Sequence, residues 1–118
     1  MNILIYNLVD SPMSNPYAQI VGHKDGLIYD YVHRDDTPLV AFADLAGYDD
    51  SVVPLTEVSQ VNGWGVPIPT NVLPSGDYHL VLKDNAVPAD TDRVVDFVKF
   101  TIAGGAIVET PKLMGRVL

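Results

Sequence analysis

The chain has 118 residues, 47% of them hydrophobic, which allows one domain with a buried core. Seven Lys and Arg against 15 Asp and Glu give a net charge of −8, which argues against binding to nucleic-acid phosphates or anionic membrane surfaces. Cysteine is absent, so disulfides and thiolate metal sites are excluded. Only 19% of the residues are charged, which indicates that a partner covers part of the surface.

The first nine residues, Met1 to Val9, are apolar but too short to span a bilayer, and they lack a basic n-region. We therefore expect neither a signal peptide nor a transmembrane segment. Nine Pro and nine Gly are spread along the chain, and Pro costs about 3 kcal/mol inside a helix, so no helix is predicted. Short β-branched or aromatic runs closed by turn signals predict an all-β fold instead.

The first half of the chain begins with a predicted strand at Ile3 to Val9. Two further runs, Tyr17 to His23 and Leu27 to Val32, flank Asp25-Gly26. An Asp-Gly pair between β-prone runs is the strongest short signal for a hairpin. The sequence therefore predicts that these two runs pair with each other.

The middle of the chain is less regular. Leu39 to Phe42 is a short apolar run, and residues 47–50 form a polar turn region. Ser51 to Val58 is a predicted strand that contains Pro54, which must lie at an edge or bulge because proline cannot donate to a ladder. Gly63 to Ile68 also contains a proline, and it is predicted to be another edge segment.

The clearest strands lie near the C-terminal end. Asp77 to Lys83 alternates apolar and polar residues, and Val94 to Ile102 is its predicted mate. Both faces of the second run carry apolar groups, as expected if one face meets the core and the other a neighbour. Ala106 to Glu109 is predicted to be a final short strand, followed by an extended tail at Pro111 to Leu118.

The run Leu73-Pro-Ser-Gly-Asp-Tyr78 has a physical reading of its own. Pro74 presets φ for a turn, and Gly76 can supply a positive φ. Tyr78 then enters the strand facing inward, and its hydroxyl is expected to reach back to the backbone in the manner of a tyrosine corner.

A set of motifs follows in a fixed order from Tyr17 to Glu109. They are Tyr17-Ala-Gln-Ile-Val, Asp25-Gly26, Tyr29, Val53-Pro-Leu-Thr-Glu57, Ile68-Pro69, Leu73-Pro-Ser-Gly-Asp-Tyr-His-Leu-Val81 and Pro88-Ala-Asp-Thr-Asp92. In this order and spacing they resemble an immunoglobulin-like β-sandwich module of tailed-bacteriophage structural proteins. The resemblance implies a sandwich at residues 17–109. Outside it, residues 1–16 are predicted to be an N-terminal strand or arm, which the pattern lacks, and residues 110–118 an extended C-terminal tail. The chain departs from the pattern at Asp30, where relatives tend to continue with Asn-Gly, and in having no tryptophan in its closing strand.

The residues that carry catalytic or metal chemistry form no recognisable motif. His23, His33 and His79 lack metal-ligand spacing and are predicted to be solvated. The acidic pairs at 35–36 and 49–50 fall in turns. In the loop Asp84–Asp92, either a calcium ion or turn capping by Asp90 or Asp92 accounts for the carboxylates, and capping is the simpler explanation. No nucleophile or phosphate-binding fingerprint is present, so we expect neither an enzyme nor a cofactor or metal site.

Candidate contact residues are the apolar and basic groups near the two ends of the chain, together with the single tryptophan. Trp64 lies between two glycines, and it is either an interface anchor or a residue that closes one end of the core. The candidate interface set is Ile3, Ile5, Leu8, Trp64, Lys112, Leu113 and Arg116.

The resemblance and the lack of catalytic motifs together favour a phage virion structural protein. A capsid decoration (cement) protein is the first expectation because the chain contains little beyond one module. It would be assembled in the host cytoplasm and bind the major capsid protein and neighbouring copies of itself, without nucleic acid or membrane. The alternatives are a tail, neck or baseplate component, a carbohydrate-binding module with Trp64 and the tyrosines as its platform, and, least favoured, a small hydrolase.

Overall fold

A computed structural model describes residues 2–6, 15–58, 63–109 and 115–117. Ten strands occur in these residues: β1 (Asn2–Tyr6), β2 (Pro16–Gly22), β3 (Ile28–Tyr29), β4 (Leu39–Val40), β5 (Thr56–Val58), β6 (Gly63–Pro67), β7 (Gly76–Asp84), β8 (Val94–Ala103), β9 (Ala106–Glu109) and β10 (Gly115–Val117). Two short 3₁₀ turns, Phe42–Asp44 and Tyr48–Ser51, are the helical elements of the described part. The predicted all-β class is confirmed. No described helix is long and apolar enough to cross a membrane.

The larger sheet has six strands in the order β4-β3-β2-β7-β8-β9, and all neighbours are antiparallel. The predicted hairpin is confirmed, because β2 and β3 pair and Gly26 takes a φ of 69° in the turn between them. The predicted pairing of β7 with β8 is also confirmed, along a ladder from Gly76 opposite Ile102 to Lys83 opposite Val94. Long ladders of this kind order the sheet through many backbone hydrogen bonds.

The smaller sheet has four strands in the order β10-β1-β6-β5. The strand predicted near the N-terminus is present at Asn2–Tyr6 and pairs with both β10 and β6. The prediction that Gly63 to Ile68 is an edge segment is wrong, because β6 lies between β1 and β5. Its proline is tolerated because Pro67 is the last residue of the strand. The division into 1–16, 17–109 and 110–118 stays a prediction.

The predicted strand Ser51 to Val58 is divided into two parts. Val53 bridges to Ala18 of the six-stranded sheet, whereas β5 pairs with β6 in the four-stranded sheet. Pro54 lies between them, and since it lacks an N–H it cannot continue either ladder. The chain therefore passes from one sheet to the other at this proline. The predicted strands at Leu27 to Val32 and Leu39 to Phe42 are likewise shorter, at Ile28–Tyr29 and Leu39–Val40.

The hydrophobic core combines residues of both sheets and of the segments between them. Its most buried large side chains are at most 2% exposed. They are Tyr29, Phe100, Ile20, Ile68, Leu80, Leu82, Ile102, Val53 and Val66. Val66 comes from β6 and packs in the same cluster as the residues of β2, β7 and β8. Burial of each large apolar side chain contributes about 1.5–3 kcal/mol.

Tyr78 joins this core to the turn that precedes β7. Its ring stacks on Phe100 with centroids 5.6 Å apart, and its hydroxyl donates to the Pro74 carbonyl oxygen at 2.6 Å. Gly76 has a φ of 154°, in the range that favours glycine. The predicted tyrosine-corner geometry is confirmed, and burial raises the pKa of the Tyr78 hydroxyl.

Candidate functional site

The outward face of the six-stranded sheet exposes apolar side chains near one edge. Residues alternate between the two faces of a strand, so Val98 and Phe100 of β8 point into the core and Phe97 points outward. The ladder shifts register between Asp96 and Val94, and Val94 and Val95 are both exposed there. Val94 is 45% exposed, Val95 is 40% exposed and Phe97 is 60% exposed. We call these three residues the outer apolar strip. It lies on β8, next to the edge strand β9.

Two histidines border the outer apolar strip. The His79 ring lies edge-on to Phe97 with centroids 5.7 Å apart. The Nδ1 atom of His23 lies 3.2 Å from Nε2 of His79, in a perpendicular ring contact. Burial lowers the pKa of His79 from its ordinary value of 6.5, and His23 and Lys99 lower it further. The neutral form of His79 is therefore favoured, so an uncharged ring adjoins the outer apolar strip.

A polar row follows on the same face. Asp77 accepts a hydrogen bond from Thr101 Oγ1 at 2.6 Å, and its other oxygen lies 3.8 Å from Lys99 Nζ. The Thr101 hydrogen bond is the main cause that lowers the pKa of the Asp77 carboxyl. The strip thus has an apolar centre beside a satisfied polar border, as protein interfaces do.

A chain of hydrogen bonds runs along the other part of this face. Lys83 Nζ donates to the Tyr48 hydroxyl at 3.0 Å, Tyr48 lies 2.9 Å from the Tyr17 hydroxyl, and Tyr17 donates to Asp92 Oδ2 at 2.6 Å. Burial raises the pKa of Tyr17, and its hydrogen bond to Asp92 raises it further. The same hydrogen bond is the first cause that lowers the pKa of Asp92. The network therefore joins two opposite charges through two hydroxyls.

This network fixes the acidic loop between β7 and β8. Asp92 Oδ2 also accepts the Ala89 backbone N–H at 2.9 Å, and Oδ1 accepts Asn85 Nδ2 at 2.7 Å. The predicted capping of this loop by an aspartate is confirmed. The two oxygens of Asp92 together accept three hydrogen bonds, so capping accounts for this carboxylate.

A third cluster lies at the opposite edge, beyond β3. Asp30, His33 and Asp50 bring one ligand atom each within 4.8 Å of one another. His33 Nδ1 lies 3.0 Å from Asp30 Oδ2 and 3.6 Å from Asp50 Oδ2. These residues have no metal-binding spacing in the sequence, because Asp50 reaches the other two only through the tertiary fold. Residues 49–50 were expected to lie in a turn, and they lie in the 3₁₀ turn Tyr48–Ser51, where Asp50 Oδ2 is buried.

The structure describes only some of the candidate interface residues. Leu8, Lys112 and Leu113 lie outside the described residues. The backbones of Ile3, Ile5, Trp64 and Arg116 lie on three adjacent strands of the four-stranded sheet, with Ile5 opposite Trp64. The outer apolar strip was not among the candidates, although the apolar residues on both faces of Val94 to Ile102 were the signal for it.

Surface clefts of about 270 to 380 Å³ occur beside Tyr78, beside Tyr31 and beside Tyr17. They are at or below the lower part of the range for small-molecule sites. In comparisons with protein-family models, curated proteins and solved structures, nothing matched this chain.

Proposed function

We propose that this chain is a structural protein of a tailed-phage virion, a capsid decoration protein that binds the outer face of the head. The proposal includes an immunoglobulin-like β-sandwich at residues 17–109, in line with the motif resemblance, and terminal residues that act as arms. Its partners are the major capsid protein and neighbouring copies of the chain, and its function is contact rather than catalysis.

The outer apolar strip is the observation that carries this proposal. Exposed apolar residues that lie together on one face, with a polar border, are typical of protein-binding surfaces. Phe97 is the largest side chain of the strip, and it is 60% exposed although it contacts His79. A large exposed aromatic ring of this kind can supply much of the binding energy of an interface.

The composition supports the same conclusion. A charged fraction of 19% is low for an independent soluble surface, as expected if partners cover part of it. A stable interface buries at least about 1,000 Å², which several neighbours on a lattice can share. Each contact can then be weak, because many contacts on one particle add by avidity.

The carbohydrate-binding alternative is weakened by the placement of the tyrosines. A sugar platform needs two or three coplanar exposed rings, and Tyr29 is only 2% exposed. The rings of Phe42 and Tyr48 meet at 68°, so they do not form a flat platform either.

The experiment is immunogold electron microscopy of the virions whose genome encodes this chain. We expect gold particles on the head surface, at many sites per particle. Labelling confined to the tail or baseplate would replace decoration with the alternative virion location. Virions that carry none of the protein would overturn the proposal.

A further inference from the structure

One buried carboxylate oxygen in the described part of the chain accepts no hydrogen bond. It is Oδ2 of Asp50. The nearest donor atom recorded for it is His33 Nδ1 at 3.6 Å, which is too long for a hydrogen bond. The same nitrogen lies 3.0 Å from Asp30 Oδ2, and one N–H can serve only one of these oxygens at full strength. A buried oxygen without a donor is costly, and it calls for a missing partner.

The nearby basic side chain does not supply that partner. Arg34 donates from Nη1 to the Tyr31 carbonyl oxygen, and its guanidinium lies over the Tyr31 ring, 4.6 Å from the centroid. The side chains of Asp30 and Asp50 are only 6% and 19% exposed, so water screens their charges poorly. Two largely buried carboxylates therefore share a single imidazole.

The backbone holds the cluster in place before any ligand binds. The Asp30 N–H donates to the Pro38 carbonyl at 2.9 Å, and the Tyr31 N–H donates to the Asp50 carbonyl at 2.8 Å. Asp30 Oδ1 accepts the His33 backbone N–H at 3.0 Å, which leaves Oδ2 directed toward the imidazole. Backbone hydrogen bonds hold both aspartates, and the His33 N–H also holds the Asp30 carboxylate, whereas the His33 side chain is 51% exposed and can adjust.

We propose that Asp30, His33 and Asp50 bind a divalent first-row cation, Zn²⁺ in the first instance. Zinc accepts imidazole nitrogen and carboxylate oxygen at about 2.0–2.2 Å, which places two ligands of a tetrahedral ion about 3.3–3.6 Å apart. His33 Nδ1 lies 3.0 Å from Asp30 Oδ2 and 3.6 Å from Asp50 Oδ2, and these distances are close to this range. The one nitrogen in the set favours zinc over calcium or magnesium, which prefer oxygen ligands.

Bound there, the ion joins the turn after β3 to the 3₁₀ turn Tyr48–Ser51. It neutralises the buried carboxylates and gives Asp50 Oδ2 the partner that the protein does not. In a chain without cysteine, such a cross-link stabilises the fold by mass action on the folded state. This inference does not depend on the proposed virion function.

The test is calorimetric titration of ZnCl₂ into the chelator-treated full chain, with circular dichroism of every variant as a check on folding. We expect one strong site per chain and a higher melting temperature with zinc. Asp50→Asn and His33→Gln should each weaken binding about tenfold or more. Asp49→Asn is the matched control, because it removes the same charge from the adjacent exposed residue and should leave binding unchanged.

Three outcomes would overturn the proposal. The first is no zinc binding by the wild-type chain at micromolar concentrations. The second is binding that survives in His33→Gln but is lost in His79→Gln, which would assign the ion to the His23–His79 pair. The third is tighter binding of Ca²⁺ or Mg²⁺ than of Zn²⁺. If Asp50→Asn fails to fold, the half-exposed His33 still provides the decisive variant.

Discussion

The two faces of β8 have opposite relations to the rest of the molecule. On the inner face, Phe100 has no measurable exposure and stacks on Tyr78. On the outer face, three residues earlier, Phe97 is 60% exposed and lies beside His79. The same residue type on the same strand therefore occupies two different environments. The inner ring stabilises the fold, whereas the outer ring lies mostly in solvent beside His79.

The comparison shows why hydrophobicity alone does not locate the core of this protein. A half-buried strand needs apolar residues on one face only. The second set on β8 adds little to folding and leaves apolar surface in water. We account for it by the proposed contact with a partner, which would cover it.

The largest expected effect on stability is the difference between alanine variants of the two phenylalanines. Phe100→Ala should lower the free energy of unfolding by about 3–5 kcal/mol, because it leaves a cavity in the core. Phe97→Ala should change it by less than about 1 kcal/mol, because the ring is mostly in solvent. Urea denaturation with linear extrapolation measures both. Equal losses for the two variants would break the distinction between the faces.

A smaller effect is expected at the turn that supports the inner face. Tyr78→Phe keeps the ring against Phe100 but removes the hydrogen bond to the Pro74 carbonyl, at a cost of about 1 kcal/mol. Ser75→Ala, at an exposed position in the same turn, is the control and should stay within about 0.5 kcal/mol of wild type. A Tyr78→Phe variant as stable as the control would mean that the tyrosine corner contributes nothing.

The turn and the ladder could be predicted because their signals are local. Asp25-Gly26, the alternation from Asp77 to Lys83, and the Pro74–Tyr78 spacing each act over a few residues, and the structure contains all three. The central position of β6 could not be predicted, because it depends on the pairing of Ile5 with Trp64 from distant parts of the chain.

The other features that could not be predicted from the sequence have the same origin. The change of sheet at Pro54 depends on which partner each half of the segment finds, and the local sequence specifies neither. The Asp30–His33–Asp50 cluster requires the backbone contact between Tyr31 and Asp50. An i, i+3 pair of Asp and His is too common to predict such a cluster alone.

The pH dependence of stability should report on the outer face. The folded-state pKa of His79 lies below 6.5, so the unfolded chain takes up a proton there more readily. The contribution of His79 to the free energy of unfolding is therefore complete above pH 6.5 and decreases as the pH falls through the folded-state pKa. A His79→Gln variant should show a shallower loss of stability on acidification. An NMR titration of His79 with a midpoint above 6.5 would contradict the assignment.

The most direct test of the proposed decoration function is the binding of two charge variants to phage heads that lack this protein. Phe97→Asp places a carboxylate in the outer apolar strip, whereas Val87→Asp adds the same charge at a 76% exposed position in the loop between β7 and β8. Both substitutions should leave unfolding by urea nearly unchanged. We predict that Phe97→Asp abolishes occupancy on the heads and that Val87→Asp retains it. Wild-type occupancy by a folded Phe97→Asp variant would show that the outer apolar strip is not the surface through which this protein works.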